Sequence, residues 1–191
     1  MSVSKIRFFL LFFESWRDAS HSYELSFGQY SLIHYTNSDI YLGGLTMRDY
    51  QIISDSSCDL APELANEKGI DIIPFYVSFD EVNYQKEREE LSVEDFYQKV
   101  LDNPKVFPKT SLPPVGDFAD RFRYHIERGL DVLCICISTK FSGSYNSACT
   151  ARDLVLEEYP DANIIVINSI VNTCLQGLVV LEAARMKEDG Y

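Results

Sequence analysis

From Met47 onward the chain alternates short apolar runs with longer stretches whose apolar positions recur every three or four residues. "YQIISDSS" predicts a first strand, Tyr50 to Ser54, running into a polar turn. A helix follows, opened by Pro62 in its first turn and closed by Gly69. "IDIIPFYVSF", Ile70 to Phe79, is β-branched and aromatic and reads as one second extended segment. Ser92 with Asp95 forms a capping signature for a helix over "VEDFYQKVLDN", which Pro104 ends. The next helix runs from Val115 to Glu127, with Phe118, Phe122 and Ile126 stacked at four-residue spacing and Gly129 as its stop.

"DVLCICIS" is an almost continuous apolar run, the mark of a central parallel strand covered on both faces. A helix from Ser144 to Glu158, a strand over Asn163 to Asn168 and a last helix over "CLQGLVVLEAARMKE" complete the order. Strands alternating with helices predict an α/β fold, a doubly wound, mostly parallel sheet with flanking helices. Ligands on such sheets sit at the carboxyl ends of the strands. The polar clusters "SDSSCD", "KTS", "STKFSGS" and "NSIVN" all follow an apolar segment or open a helix, so a site is expected there.

Residues 1–46 break this rhythm. "KIRFFLLFFESW" is too short an apolar run for a membrane span or a signal-peptide core, and Ser15 to Thr46 shows neither helical nor strand periodicity. These residues read as a non-native upstream extension or a disordered leader, with the domain occupying 47–191. Gly43 to Thr46 can be encoded as a purine-rich ribosome-binding site and spacer ahead of a Met47 start codon.

Composition narrows the function. With 29 acidic against 17 basic residues and a net charge of −12, a nucleic-acid partner is not expected. Five cysteines, at 58, 134, 136, 149 and 174, form no CxxC pair and sit in or beside apolar runs, which reads as reduced, mostly core thiols in a cytoplasmic protein. No set of Cys and His residues completes a metal site. Neither a P-loop nor a G-x-G-x-x-G turn is present, so no nucleotide cofactor of those types is expected.

Ser142 lies at a strand-to-helix junction, as hydrolase nucleophiles do, but "FSGSY" lacks a glycine two residues ahead of the serine. His125, the one histidine after Met47, falls within a helix and offers no base for it. Small hydroxylated residues at such a junction instead suit an anionic group at a helix N-terminus. Two readings remain open on residues alone: a binding site built of hydroxyls and helix-terminal amides, or an α/β enzyme acting on a small phosphorylated or carboxylated substrate, with Asp55 as acid or base and Ser142 as anion ligand.

Four segments occur in order: "SDSSCDL", "KTSLPPVGDF", "ISTKFSGSYNSA" and "VINSIVNTCLQGLVV". Together they resemble the DegV family of bacterial fatty-acid-binding proteins, some of which serve as the acyl-carrying subunit of a fatty acid kinase in phospholipid synthesis. The resemblance implies a non-catalytic carrier whose Thr110 and Ser142 hold a fatty-acid carboxylate. It further implies that Ser111, Gly143, Ser144, Asp55 and Ser169 line the pocket, that a separate ATP-dependent kinase phosphorylates the carboxylate, and that the protein makes no stable membrane insertion. Asn168 stands where the family usually has aspartate. Family chains also continue into a second domain that covers the ligand, so this chain is expected to correspond to the N-terminal domain of a two-domain protein.

Overall fold

The computed structural model describes residues 49–191. The expectations for residues 1–46 and for a start at Met47 lie outside the described residues. Four parallel strands form the main sheet: β1 (Tyr50–Asp55), β2 (Ile70–Ile73), β6 (Asp131–Cys136) and β7 (Ile164–Asn168), in the order β2-β1-β6-β7. Between β1 and β2 lie a 3-10 turn, Ser56–Cys58, and α1 (Pro62–Glu67). The helices α3 (Val115–Ile126), α4 (Ser144–Glu158) and α5 (Thr173–Glu188) complete the parallel α/β unit.

Every residue of β6 is buried, as its unbroken apolar run predicts for a strand covered on both faces. On one face, Phe118 and Phe122 of α3 and Ala148, Ala151 and Val155 of α4 pack with Ile53, Cys134, Cys136 and Val166. The two phenylalanines are fully buried with ring centroids 6.0 Å apart, and each contributes roughly 1.5–3 kcal/mol by leaving water. Ile52, Leu133 and Ile135 alternate with that set along the pleat and point to the other face, where α5 packs on β1. Cys134 and Cys136 share one face with their sulfurs 3.7 Å apart, and burial followed by the neighbouring thiol pushes Cys136 well above the usual cysteine range. All five cysteines are free, with Cys58, Cys134 and Cys136 buried and Cys174 exposed.

The segment Ile70 to Phe79 is two strands and not one. Pro74 has no N–H to donate and restricts the residue before it, so β2 ends at Ile73. The Phe75 amide bonds to Ser56 Oγ at 2.8 Å instead of to a strand. The chain then enters a second, antiparallel sheet of β4 (Gln85–Lys86), β3 (Tyr76–Ser78) and β5 (Lys109–Ser111), in the order β4-β3-β5. "KTS" is therefore a strand paired with β3, followed by a loop into α3. In the β3–β4 turn the Asp80 carboxylate accepts the Asn83 and Val82 amides, which hold it well below the usual carboxylate range. Between β4 and β5 runs α2 (Val93–Asp102), capped as its sequence predicts by Ser92 Oγ accepting the Asp95 amide at 3.0 Å.

Candidate functional site

Connections from β1 and β6 leave the sheet in opposite directions, β1 towards β2 and β6 towards β7, so a crevice opens between their carboxyl ends. Asp55 closes the base of this crevice. Its side chain is fully buried, and Oδ2 accepts the Ile137 amide at 2.9 Å and the Ser144 hydroxyl at 2.7 Å. Oδ1 accepts Gln176 Nε2 at 2.9 Å and contacts the Ser57 hydroxyl. Gln176 Nε2 also donates to Ser54 Oγ at 3.1 Å. One carboxylate thus ties the end of β1 to the loop after β6, to the first residue of α4 and to α5. A buried carboxylate is costly unless its lone pairs are filled, and here donors meet both oxygens.

That network holds the loop carrying Ser142. The Ser142 hydroxyl oxygen accepts the Ser144 amide at 3.1 Å, which leaves its own hydrogen for another acceptor. The first turn of α4, a 15-residue helix, adds the positive end of its dipole at the same place. Thr110 arrives from the other sheet, in β5, where it pairs with Val77 of β3. The two loops touch: a Cβ built on Gly143 would come within 3.2 Å of Leu112 Cδ2, so only a small residue lets the Thr110 segment approach the α4 N-terminus this closely.

Thr110, Ser142 and Gly143 line one open cleft of about 510 Å³, within the usual size range of small-molecule sites. Leu112, Ile137, Phe75 and Phe141 give it apolar walls, and Ser56, Ser57 and Thr173 add hydroxyls. Among the described residues no lysine or arginine lines it, whereas Asp59 and Glu87 do. The donors this cleft offers are neutral hydroxyls and the N-terminus of α4, beside the carboxylates of Asp59 and Glu87. The Glu87 carboxylate accepts the Ser56 hydroxyl.

The remaining expected lining residues are placed differently. Ser144 and Asp55 are fully buried and bonded to each other beneath the cleft. The carboxylate of Asp55 thus offers no exposed atom for acid–base work. Ser169 is also buried, with its hydroxyl donating to the Val171 carbonyl at 3.0 Å in the loop before α5. Ser111 is exposed at the end of β5 and is not part of the lining. Asn168 donates from Nδ2 to Thr139 Oγ1 at 3.1 Å and accepts the Ile170 amide at 3.0 Å. Sequence reasoning missed Gln176 and Glu87. A polar residue on the inward stripe of an apolar helix is the signal that would have found Gln176. Beside it, a Cβ on Gly177 would meet the Cys58 carbonyl oxygen at 2.5 Å, so α5 lies directly on the 3-10 turn.

The sequence model of the family described as "Uncharacterised protein, DegV family" matches residues 49–191. The chain belongs to the DegV family. A DegV domain-containing protein of Clostridium acetobutylicum is 35% identical over 140 residues, covering 73% of this chain and 48% of the relative. Among solved structures, a stearic acid-binding protein from Eubacterium ventriosum superposes with a TM-score of 0.72 at 50% identity, over 74% of this chain and 48% of that one. The structure of a DegV family protein from Thermus thermophilus, described for its fatty acid binding, matches with a TM-score of 0.63 at 31% identity, over 76% and 49% of the two chains. This DegV chain spans about half the length of the relatives it matches. Among its described residues no helix is long and apolar enough to cross a membrane.

Proposed function

We propose that this chain binds a long-chain fatty acid, holds its carboxylate between the Thr110 and Ser142 hydroxyls, and presents it in the cytoplasm to a separate ATP-dependent fatty acid kinase for conversion to an acyl phosphate. The chain itself is a carrier and not a catalyst. The observation that carries this reading is the convergence of Thr110, from the small antiparallel sheet, and Ser142, from the parallel sheet, on one cleft with apolar walls. Ser142 keeps a free hydroxyl hydrogen beside a helix N-terminus, which suits a carboxylate. Phe141, Leu112 and Phe75 offer the surface an acyl chain needs, at about 0.8 kcal/mol per buried methylene. Solved relatives described as binding stearic acid or fatty acid support the same ligand class. The enzyme alternative loses its acid or base, because Asp55 lies fully buried with its oxygens engaged.

Mass spectrometry of lipid extracted from the purified chain tests the proposal. A fatty acid near one per protein is expected, depleted in Thr110→Ala and in Ser142→Ala. A folded chain that carries no fatty acid, even after incubation with oleate, would overturn it.

A further inference from the structure

The cleft is lined by five hydroxyl side chains, those of Ser56, Ser57, Thr110, Ser142 and Thr173. Two of them are spent inside the protein. Ser56 donates to the Glu87 carboxylate, and the Ser57 hydroxyl lies between Asp55 Oδ1 and Gln176 Oε1, the second of these 2.8 Å away. Ser142 accepts the Ser144 amide and keeps its hydrogen. Among the described residues the side chains of Thr110 and Thr173 have no hydrogen-bond partner. A carboxylate has two oxygens and about four lone-pair sites, and burying it with few of them filled is costly. Thr110 and Ser142 supply one hydrogen each. Thr173 is the one further lining hydroxyl whose hydrogen is not already committed.

The backbone holds Thr173 there against its own preference. Its φ is 49°, in the left-handed region where a β-branched residue is a genuine outlier, and Ile170 in the same connection has a φ of 65°. Conformations of this kind persist only where the surroundings over-determine them, and they concentrate at ligand sites. Here the connection is pinned at both ends. The Ser169 amide donates to the Cys136 carbonyl at 2.9 Å and the Ser138 amide to the Val171 carbonyl at 3.0 Å, which fastens it to the end of β6. Gln176, in the first turn of α5, donates to Asp55 Oδ1 at 2.9 Å. The buried carboxylate that steadies the Ser142 loop therefore steadies the start of α5 as well. We infer that Thr173 is a third hydroxyl contact for the fatty-acid carboxylate, presented to it by the strained start of α5. This inference rests on the carrier reading above and adds the residue that meets the carboxylate from the α5 side.

The test measures oleate binding to the delipidated 191-residue chain by calorimetry, for wild type, Thr173→Val and Thr173→Ser. Valine keeps the branched shape and the strained backbone but has no hydroxyl. Thr173→Val is expected to keep its circular dichroism spectrum and to bind oleate at least about ten-fold more weakly, the loss typical of a hydrogen bond to a charged group. Thr173→Ser restores the hydroxyl and is expected to bind within about three-fold of wild type, which a merely structural role for the threonine would not produce. Unchanged affinity in Thr173→Val, while Thr110→Ala and Ser142→Ala lose oleate, would overturn the third contact and leave the carrier reading intact. A wild-type chain that binds no oleate fails the carrier reading, and the third contact with it. The strain is read apart from the ligand by comparing Thr173→Gly with Thr173→Ala, both of which lack the hydroxyl. Glycine adopts this φ without steric cost, so its variant is expected to unfold at the higher urea concentration. A glycine variant no more stable than the alanine one would overturn the strained presentation.

Discussion

Ser142 and Thr110 face the same cleft but stand on unequal foundations. Ser142 belongs to a loop anchored by a fully buried carboxylate that reaches three other elements. Thr110 sits on a three-residue strand, all of it exposed, in a sheet whose other members are no longer than three residues. One wall of the site is thus part of the domain's core, and the other is a short exposed strand held to the core through its neighbour β3, whose Val77 and Ser78 are buried. Local stability follows buried contacts, so the Thr110 wall is the one expected to move when a ligand or a partner arrives.

The sharpest break of this contrast is Asp55→Ala. It strips the Ile137 amide, the Ser144 hydroxyl and the Gln176 amide of their shared acceptor inside the protein. A buried polar group left unpaired costs about 1–3 kcal/mol, so a loss of roughly 3–5 kcal/mol is expected in urea denaturation. An effect under about 1 kcal/mol would mean that the network does not support the Ser142 wall. Gly177→Ala probes the same foundation from the α5 side. The new methyl would meet the Cys58 carbonyl oxygen at 2.5 Å, and a backbone atom in a tight turn has little room to yield. The helix must shift off the turn, with an expected cost of about 1–3 kcal/mol measured the same way.

The difference between the two walls also explains what could be read in advance. The parallel sheet and its helices were legible because burial on both faces leaves continuous apolar runs such as "DVLCICIS", and because Pro62, Ser92, Gly129 and Pro160 punctuate the helices. The small sheet was not. Strands of two or three residues such as Gln85–Lys86 and Lys109–Ser111 are too short to show a period, and their pairing with Tyr76–Ser78 is a long-range fact with no local signal. At the site, the hydroxyl-rich junction around Ser142 was legible as part of a cleft at the carboxyl ends of the strands, which Ser142 lines. The partition of Asp55, Ser144 and Ser169 into buried supports was not, because a serine or aspartate after a strand looks the same whether it faces the cleft or the core. Gln176 was hidden because its partners, Ser54, Ser57 and Asp55, lie more than a hundred residues away.

The smallest effects sharpen the comparison most, because they separate support from contact. Ser142→Ala removes the oxygen that accepts the Ser144 amide at the start of α4, and loss of such a hydrogen bond typically costs about 1 kcal/mol. Thr110→Ala changes an exposed side chain on a strand paired through its backbone, so stability is expected to stay within about 0.5 kcal/mol of wild type. Both variants should nevertheless lose fatty acid. Measured by urea denaturation on delipidated protein, the pair should therefore differ in stability while agreeing in ligand loss. Equal stability would mean that the Ser142–Ser144 hydrogen bond contributes nothing and that the two walls are equivalent. A large loss at Thr110 would instead mean that β5 is bound into the domain more tightly than its exposure implies.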